Sequence, residues 1–112
     1  MKNEIGLLSK LQHEGIVKYI DHYQTPESYV IILELCHHGS LGDLLDRRGV
    51  LTEPEVQYYA LQILDALEYL HSERVVHRDI KPDNIFLQKG LRTRIGDFGL
   101  SLKLDDTKEC IL

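Results

Sequence analysis

The sequence contains no tryptophan, only three prolines and no long apolar run. Its longest uninterrupted apolar stretch, residues 29–33, falls far short of the roughly 20 residues that span a bilayer. The opening residues 1–4 lead into no apolar segment, so we expect no secretory leader. No stretch has the composition of a linker or a low-complexity tract. The sequence therefore predicts a globular chain with no membrane partner.

Basic residues are scarce relative to acidic ones. The chain has 13 Lys and Arg against 18 Asp and Glu, a formal net charge of −5. Because non-specific nucleic-acid binding depends on basic side chains at phosphates, we expect no nucleic-acid partner. The two cysteines, Cys36 and Cys110, form neither a CxxC pair nor a metal-ligand spacing. This usage predicts free thiols in a reducing compartment, cytoplasmic or nuclear.

The first 35 residues show a helical pattern and then two strand patterns. Leu7, Leu8 and Leu11 recur at helical spacing, which predicts a helix over residues 3–11. Residues 16–23 and 29–35 are rich in β-branched and aromatic side chains, with a turn sequence between them at residues 25–28. We interpret these two segments as a β-hairpin.

Two capped helices and several short strands follow. Ser40 with Asp43 predicts a capping box on a short helix that Gly49 closes, and Thr52 with Glu55 predicts a second box on a helix ending near His71. We expect this second helix to bury a broad apolar stripe. The members of the stripe are Val56, Tyr59, Ala60, Ile63, Leu64, Leu67 and Leu70. Apolar segments at 75–76, 85–87 and 91–95 predict strands, the last two joined as a hairpin through residues 88–90. The fold class is therefore α+β.

The most specific signal lies in residues 77–99. The sequence HRDIKPDN occupies residues 77–84, and eighteen positions after Asp79 comes DFG at residues 97–99. Taken singly, these residues are ordinary members of loops and turns. Taken together, in this order and with a predicted hairpin between them, they closely resemble the eukaryotic protein kinase family, whose signature includes HRDxxxxN and DFG.

The chemistry of phosphoryl transfer explains these residue types. Asp79 is a carboxylate that can accept the proton of an incoming hydroxyl, and Lys81 can lie beside it as a point charge toward the γ-phosphate. Asn84 and Asp97 carry the oxygen ligands that suit Mg²⁺. The resemblance thus implies Asp79 and Lys81 as catalytic residues, Asn84 and Asp97 as metal ligands, and ATP with Mg²⁺ as cofactors.

The resemblance also implies a nucleotide site and a domain plan. Leu33 would be the gatekeeper, backbone groups of Glu34 and Cys36 would bind adenine, and Phe86 would lie beneath the ring. Glu4 stands where the family has the acid that pairs with a strand lysine, although a solvated first-turn acid is an equal interpretation. The chain would be a partial kinase domain, with an N-lobe remnant at 1–33, the hinge at 34–39 and the start of the C-lobe at 40–112.

Further details narrow the resemblance. Lys81 followed by Pro82 is the form found in serine/threonine kinases, so the implied partner is a protein with a Ser or Thr acceptor. The stretches LELC, LTEPEVQYYALQI and NIFL are similar to polo-like kinases. Arg78 could bind a phosphate on the activation segment. Leu8, Tyr19, His77 and Phe98 fall where the family packs its regulatory spine.

The sequence also departs from the family pattern. It contains no GxGxxG loop, no VAIK lysine before Glu4 and no APE motif. Because those parts position ATP and substrate, we expect little or no transferase activity and marginal stability from the isolated chain. Two alternatives stay open. One is a non-catalytic, kinase-derived binding or regulatory fragment, and the other is a small-molecule phosphotransferase of the kinase-like superfamily.

Overall fold

A computed structural model describes residues 6–103 of the chain. After a short helical turn at residues 6–8, the chain forms two helices, six strands and two 3₁₀ turns in this part. In chain order these elements are β1 (Tyr19–Gln24), β2 (Tyr29–Leu33), α1 (Leu41–Arg48), α2 (Glu53–Ser72), β3 (Val75–Val76), a 3₁₀ turn (Pro82–Asn84), β4 (Ile85–Gln88), a 3₁₀ turn (Lys89–Leu91), β5 (Arg92–Ile95) and β6 (Leu102–Lys103).

The strands pair as three antiparallel, two-stranded sheets: β1 with β2, β4 with β5, and β3 with β6. Both predicted hairpins are confirmed, with Gln24 opposite Tyr29 in the first and Gln88 opposite Arg92 in the second. The first hairpin is shorter than predicted at both outer ends. Residues 15–17 do not join it because they pair with the end of β5, where Val17 N donates to Ile95 O at 2.9 Å and Ile95 N donates to Gly15 O at 2.6 Å.

The helix boundaries follow the predicted caps. Ser40 Oγ accepts from Asp43 N at 3.1 Å, and Asp43 Oδ2 accepts from Ser40 N at 2.9 Å, so both halves of the capping box form. Thr52 and Glu55 form the same reciprocal pair at the start of α2. Gly49 ends α1 with a φ of +79°, a backbone conformation that glycine adopts without a steric cost.

The first predicted helix is wrong at its C-terminal end. In the part of the chain that the structure describes, the helix covers residues 6–8 and gives way to a turn at residues 9–10. Hydrogen bonds of the i to i−3 type close this end, from Lys10 N to Leu7 O and from Leu11 N to Leu8 O. The apolar spacing that suggested a longer helix still serves packing, since Leu8 is buried and Leu11 is partly buried against the core.

The expected wide buried face of α2 forms only in part. Tyr59, Ala66 and Leu70 are buried, whereas Val56 and Leu64 are exposed. The reason is that α2 packs on β5 and β3 along one side only, and within residues 6–103 no further element covers the rest of its apolar stripe.

The core lies between α2 and the β4–β5 hairpin and continues to the helical turn at residues 6–8. Its buried side chains form one cluster that contains Leu8, Ile16, Leu41, Leu44, Tyr59, Ala66, Leu70, Val75, Ile85, Leu87, Ile95 and Phe98. Helices and antiparallel hairpins share this cluster, so the α+β class is confirmed. Within residues 6–103, no helix combines the length and the apolar character needed to cross a membrane.

Candidate active site

His77 is the buried centre of the loop that contains the HRD sequence. Its Nε2 lies 2.7 Å from Gly96 O, and its Nδ1 accepts from Asp79 N at 3.1 Å. A neutral imidazole protonated at Nε2 satisfies both bonds. The ring also packs edge-to-face on Phe98, with centroids 4.8 Å apart. His77 therefore joins the backbone of Asp79 to the segment that contains DFG.

Asp79, Lys81 and Asn84 form a contiguous polar group. Asn84 Nδ2 donates to Asp79 O at 2.8 Å and to Asp79 Oδ2 at 3.0 Å, while Lys81 Nζ lies 3.7 Å from Asp79 Oδ1. Asn84 is buried, Asp79 is half-buried and Lys81 is exposed. The Asp79 carboxylate is thus oriented from both sides, and the amide oxygen of Asn84 takes no part in either of its two bonds to Asp79.

The backbone of Gly96 contacts this group, and Asp97 is the next residue along the chain. Gly96 N donates to Asn84 O at 2.9 Å. A Cβ at Gly96 would lie 2.7 Å from Cε2 of Phe86, so a side chain there would displace the aromatic ring. Asp97 itself has a φ of +54° and an exposed side chain, and the following Phe98 is buried in the core.

Two further bonds connect the HRD loop to the residues after DFG. Arg78 Nε donates to Leu100 O at 2.6 Å, and Ser101 Oγ donates to His77 O at 3.3 Å. Arg78 also has a positive φ of +69°. The side chain of Arg78 is exposed, so its guanidinium group is open to an anionic partner.

The site has few side chains that could hold a metal ion. Within residues 6–103 there is no cluster of three or more His, Cys, Asp and Glu side chains suited to a metal. The set consists instead of one amide, Asn84, and one carboxylate, Asp97. This composition fits Mg²⁺, which takes one or two protein oxygens and completes its shell with water and phosphate.

The segment after β2 runs along β4. His38 N donates to Leu87 O at 3.2 Å, and Leu87 N donates to Gly39 O at 2.8 Å. Among residues 6–103, Glu34 O and Cys36 N have no backbone hydrogen-bond partner, so these two groups are available to a ligand.

The other predicted nucleotide residues flank this segment. Leu33 ends β2 opposite Tyr19, and its side chain is partly open to solvent. Phe86 is half-buried on β4 with its ring against Gly96, which brings it next to Asp97 along the chain. Glu4 lies outside the described residues.

Cys36 has a perturbed thiol. Burial raises its pKa above the ordinary value, the charge of Glu34 raises it further, and Arg94 acts in the opposite direction. The thiol is therefore protonated at neutral pH and is a poor nucleophile.

A polar network around Glu34 was not anticipated from the sequence. Arg94 Nε lies 3.5 Å from Glu34 Oε1, and Gln88 Nε2 donates to Glu34 Oε2 at 3.0 Å. The alternation of buried Thr93 and Ile95 on β5 could have indicated that Arg94 faces the other side of the strand. No local signal connects it to an acid 60 positions earlier in the chain.

The four residues expected to form the regulatory spine, Leu8, Tyr19, His77 and Phe98, all lie in or against the hydrophobic core. Leu8 and Phe98 are members of the core cluster, Tyr19 packs against that cluster, and His77 contacts Phe98. Three of them are buried and Tyr19 is half-buried.

Comparison with known protein families gives one match over almost the whole chain. A family model described as "Protein kinase domain" matches residues 1–111.

Curated relatives agree with this match. The chain is 45% identical over 107 residues to the "Cell cycle serine/threonine-protein kinase CDC5/MSD2" of Saccharomyces cerevisiae. The matched region covers 96% of the chain and 15% of that protein. It is 41% identical over 110 residues to the "Inactive serine/threonine-protein kinase PLK5" of Mus musculus, covering 98% of the chain and 18% of that protein. It is 40% identical over 102 residues to the "Serine/threonine-protein kinase PLK2" of Mus musculus, covering 91% of the chain and 15% of that protein. The chain spans less than a fifth of the length of these relatives.

Proposed function

The chain belongs to the protein kinase family, and from this premise we propose that it carries the catalytic loop, hinge and metal ligands of an ATP-dependent protein serine/threonine kinase. Its similarity lies with polo-like kinases. The observation that carries the proposal is that Asn84 contacts both segments: its Nδ2 donates to Asp79 Oδ2, and its carbonyl accepts from Gly96 N. Asn84 thereby connects the HRD loop to the residue before DFG.

Asp79 is proposed as the residue that accepts the proton of the acceptor hydroxyl. The bond from Asn84 Nδ2 occupies Oδ2, and Lys81 lies nearer Oδ1. A carboxylate fixed in this way meets an incoming hydroxyl without first reorganising, which is the general advantage of a preoriented base. Lys81 is exposed and is proposed to meet the γ-phosphate as a positive charge.

Asn84 and Asp97 are proposed to hold Mg²⁺ through the amide oxygen and the carboxylate. When bound, the ion would neutralise charge that spreads over the phosphate oxygens during transfer. The chain's own contribution is to keep the two ligands together. It does so through the Gly96–Asn84 backbone bond and the burial of Phe98 beside Asp97.

Adenine is proposed to bind along the hinge at residues 34–39, on Glu34 O and Cys36 N, with Phe86 and Leu33 bordering the base. Glu4 is proposed to pair with a lysine supplied from outside this chain. The proposed acceptor is a Ser or Thr hydroxyl of a protein, and the proposed compartment is cytoplasmic or nuclear.

We further propose that the isolated 112-residue chain has little or no transferase activity. Its sequence has no GxGxxG loop to cover the phosphates and no VAIK lysine. Transfer of radiolabelled γ-phosphate from ATP to a protein rich in exposed Ser and Thr is expected at background level. Robust turnover that Asp79→Asn abolishes would contradict this second statement while supporting the assigned base.

Binding of nucleotide is tested separately from turnover. Titration of the isotopically labelled chain with ATP, with and without Mg²⁺, is expected to shift the amide signals of Cys36 and the side-chain amide signals of Asn84. Asp97→Asn is expected to weaken the dependence on Mg²⁺ while leaving the shift at Cys36. If neither signal responds at millimolar nucleotide, this chain has no functional nucleotide site.

A second candidate is a non-catalytic binding or regulatory fragment. One observation favours it, since a relative 41% identical to the chain carries the word "Inactive" in its name. The intact set of Asp79, Lys81, Asn84 and Asp97 argues for the catalytic proposal, because binding alone has no chemical need for these four side chains. Restoration of transfer when the matching kinase segments are added, and its loss with Asp79→Asn, would separate the two.

A further inference from the structure

The side chain of Glu34 is at the centre of a network that connects three separate segments. Its Oε1 accepts from Lys18 N at 2.8 Å and lies 3.5 Å from Arg94 Nε on β5. Its Oε2 accepts from Gln88 Nε2 at 3.0 Å on β4. The same Gln88 Nε2 also donates to Leu35 O at 2.8 Å. The Glu34 carboxylate therefore orients the side-chain amide of Gln88, and that amide in turn holds the carbonyl of Leu35 in the hinge.

The last of these bonds fixes the direction of a neighbouring N–H group. The peptide between Leu35 and Cys36 is planar and trans, as all peptides described here are, so its C=O and N–H point in opposite directions. Gln88 Nε2 holds Leu35 O, and the Cys36 N–H consequently points away from the Gln88 amide group. Without Glu34, the Gln88 amide would lose the partner that sets its own orientation.

Packing alone does not hold these groups in place. Glu34 and Arg94 both line a cavity of about 450 Å³ on the side of residues 8–19. Their side chains nevertheless have low exposure, 21% for Glu34 and 20% for Arg94, so the ion pair is partly shielded from water. A shielded, charge-assisted network orients its members more strongly than an exposed one.

We propose that the Glu34 side chain, held by Arg94 and Gln88, is a positioning residue that aims the Cys36 N–H at the adenine base. This role rests on the proposed function, because it presupposes a nucleotide at the hinge. It goes beyond that function in assigning a task to the side chains of Glu34, Arg94 and Gln88.

The chain offers a matched control. Arg92 and Glu14 form a similar pair, 3.4 Å apart, with Arg92 two residues before Arg94 on the same strand. This pair is much more exposed, 49% for Arg92 and 84% for Glu14, and neither residue contacts the hinge. Glu14→Ala thus removes an acid from the same neighbourhood without touching the network.

The first measurement is amide hydrogen exchange on the whole 112-residue chain without ligand. In Glu34→Ala, exchange of the backbone amides at positions 34 and 38 is expected to rise about tenfold, since a hydrogen bond to a charged group contributes on this scale. In Glu14→Ala these rates are expected to stay within about twofold of wild type, the scatter that remote substitutions usually show. If Glu34→Ala does not fold, Glu34→Gln replaces it, since it keeps the shape and loses the charge.

The second measurement compares two probes, adenosine and magnesium tripolyphosphate, by chemical-shift titration. Glu34→Ala and Arg94→Gln are expected to weaken adenosine binding about tenfold, and the double variant is expected to be no worse than the single ones. Affinity for magnesium tripolyphosphate, which does not reach the hinge, is expected to be unchanged. A general loss of structure would instead weaken both probes.

The outcomes separate this inference from the function on which it rests. Unchanged hinge exchange in Glu34→Ala, or equal weakening of both probes, overturns the positioning role. If the wild-type chain binds neither probe, the proposed nucleotide site fails, and the exchange experiment still decides whether Glu34 orders the hinge.

Discussion

At the scale of single residues, Asn84 shows how one buried amide can organise a site. Its side chain contacts Asp79 of the HRD sequence through Nδ2, and its backbone carbonyl contacts Gly96, the residue before DFG. A shorter or apolar residue could not satisfy the Asp79 carbonyl and carboxylate together.

Replacing Asn84 by Ala is expected to lower the free energy of unfolding by about 1–3 kcal/mol, because the partners it leaves behind lose their donor in a partly buried place. Urea denaturation measures the change. Asn84→Asp serves as the comparison, and it should also destabilise the chain because it brings a second carboxylate to Asp79. A stability equal to wild type in both variants would mean that the two hydrogen bonds contribute nothing.

Cys36 provides a chemical test of the hinge environment. Because burial and Glu34 raise its pKa, iodoacetamide is expected to modify Cys36 more slowly at pH 8 than it modifies the thiol of a short peptide. The assay uses Cys110→Ser, so that Cys36 is the only thiol in the chain. Modification as fast as the peptide thiol, in a chain that remains folded, would contradict the buried setting.

At the scale of elements, α2 depends on its N-terminal end for more than its capping box. Glu55 accepts from Thr52 N and also forms a two-bond pair with Arg48, at 2.5 and 2.8 Å. These contacts connect the end of α1 to the start of α2. They lower the pKa of Glu55 from about 4.5 to about 2, chiefly through the bond to Arg48.

The stability of this junction is expected to depend on pH in a defined window. A carboxyl with a lowered folded-state pKa stabilises the fold above its unfolded pKa, and the contribution disappears as pH falls through the folded value. The advantage of wild type over Glu55→Gln should therefore be largest above about pH 4.5 and should vanish toward pH 2.

Thermal unfolding midpoints across this pH range measure the difference. Glu53→Gln is the control, an acid in the same turn whose side chain has no ion pair within residues 6–103. A constant gap between wild type and Glu55→Gln from pH 7 to pH 2 would contradict the role of the ionised carboxylate.

At the scale of the whole molecule, the described chain has a compact core on one side of α2 and an open apolar surface on the other. Leu61 and Leu64 are 69% and 60% exposed, whereas Leu70 on the same helix is 0% exposed. The β1–β2 hairpin is a two-stranded sheet with no third strand among residues 6–103, so it also has unpaired strand edges. Open apolar faces and unpaired strand edges favour association between molecules.

Charged substitutions on the open face of α2 are therefore expected to reduce self-association without loss of stability. The double variant Leu61→Lys/Leu64→Glu should show a smaller average mass in analytical ultracentrifugation and an unfolding midpoint close to that of wild type. Leu70→Ala is the contrasting variant and should lose about 2–5 kcal/mol, because it leaves a cavity in the core. Equal destabilisation by both changes would mean that the open face is covered in solution.

Local chemistry determined much of this protein from its sequence. The capping boxes at Ser40 and Thr52, the closing glycine at Gly49 and the turns of both hairpins depend on residues a few positions apart. The caps formed where they were predicted, and both hairpins formed, the first of them shorter than predicted at its outer ends. The resemblance to the protein kinase family rested on the HRD and DFG motifs, which can be recognised in the sequence without knowledge of the fold.

Only the tertiary structure decided which partners distant segments choose. Residues 15–17 pair with β5 instead of extending β1, and Arg94 meets Glu34 across 60 positions. The periodicity of a sequence identifies the apolar face of a helix or strand, but it does not show which other element will pack against that face. That depends on the packing of whole elements, in which the gain from burying one face competes with every other arrangement of the chain.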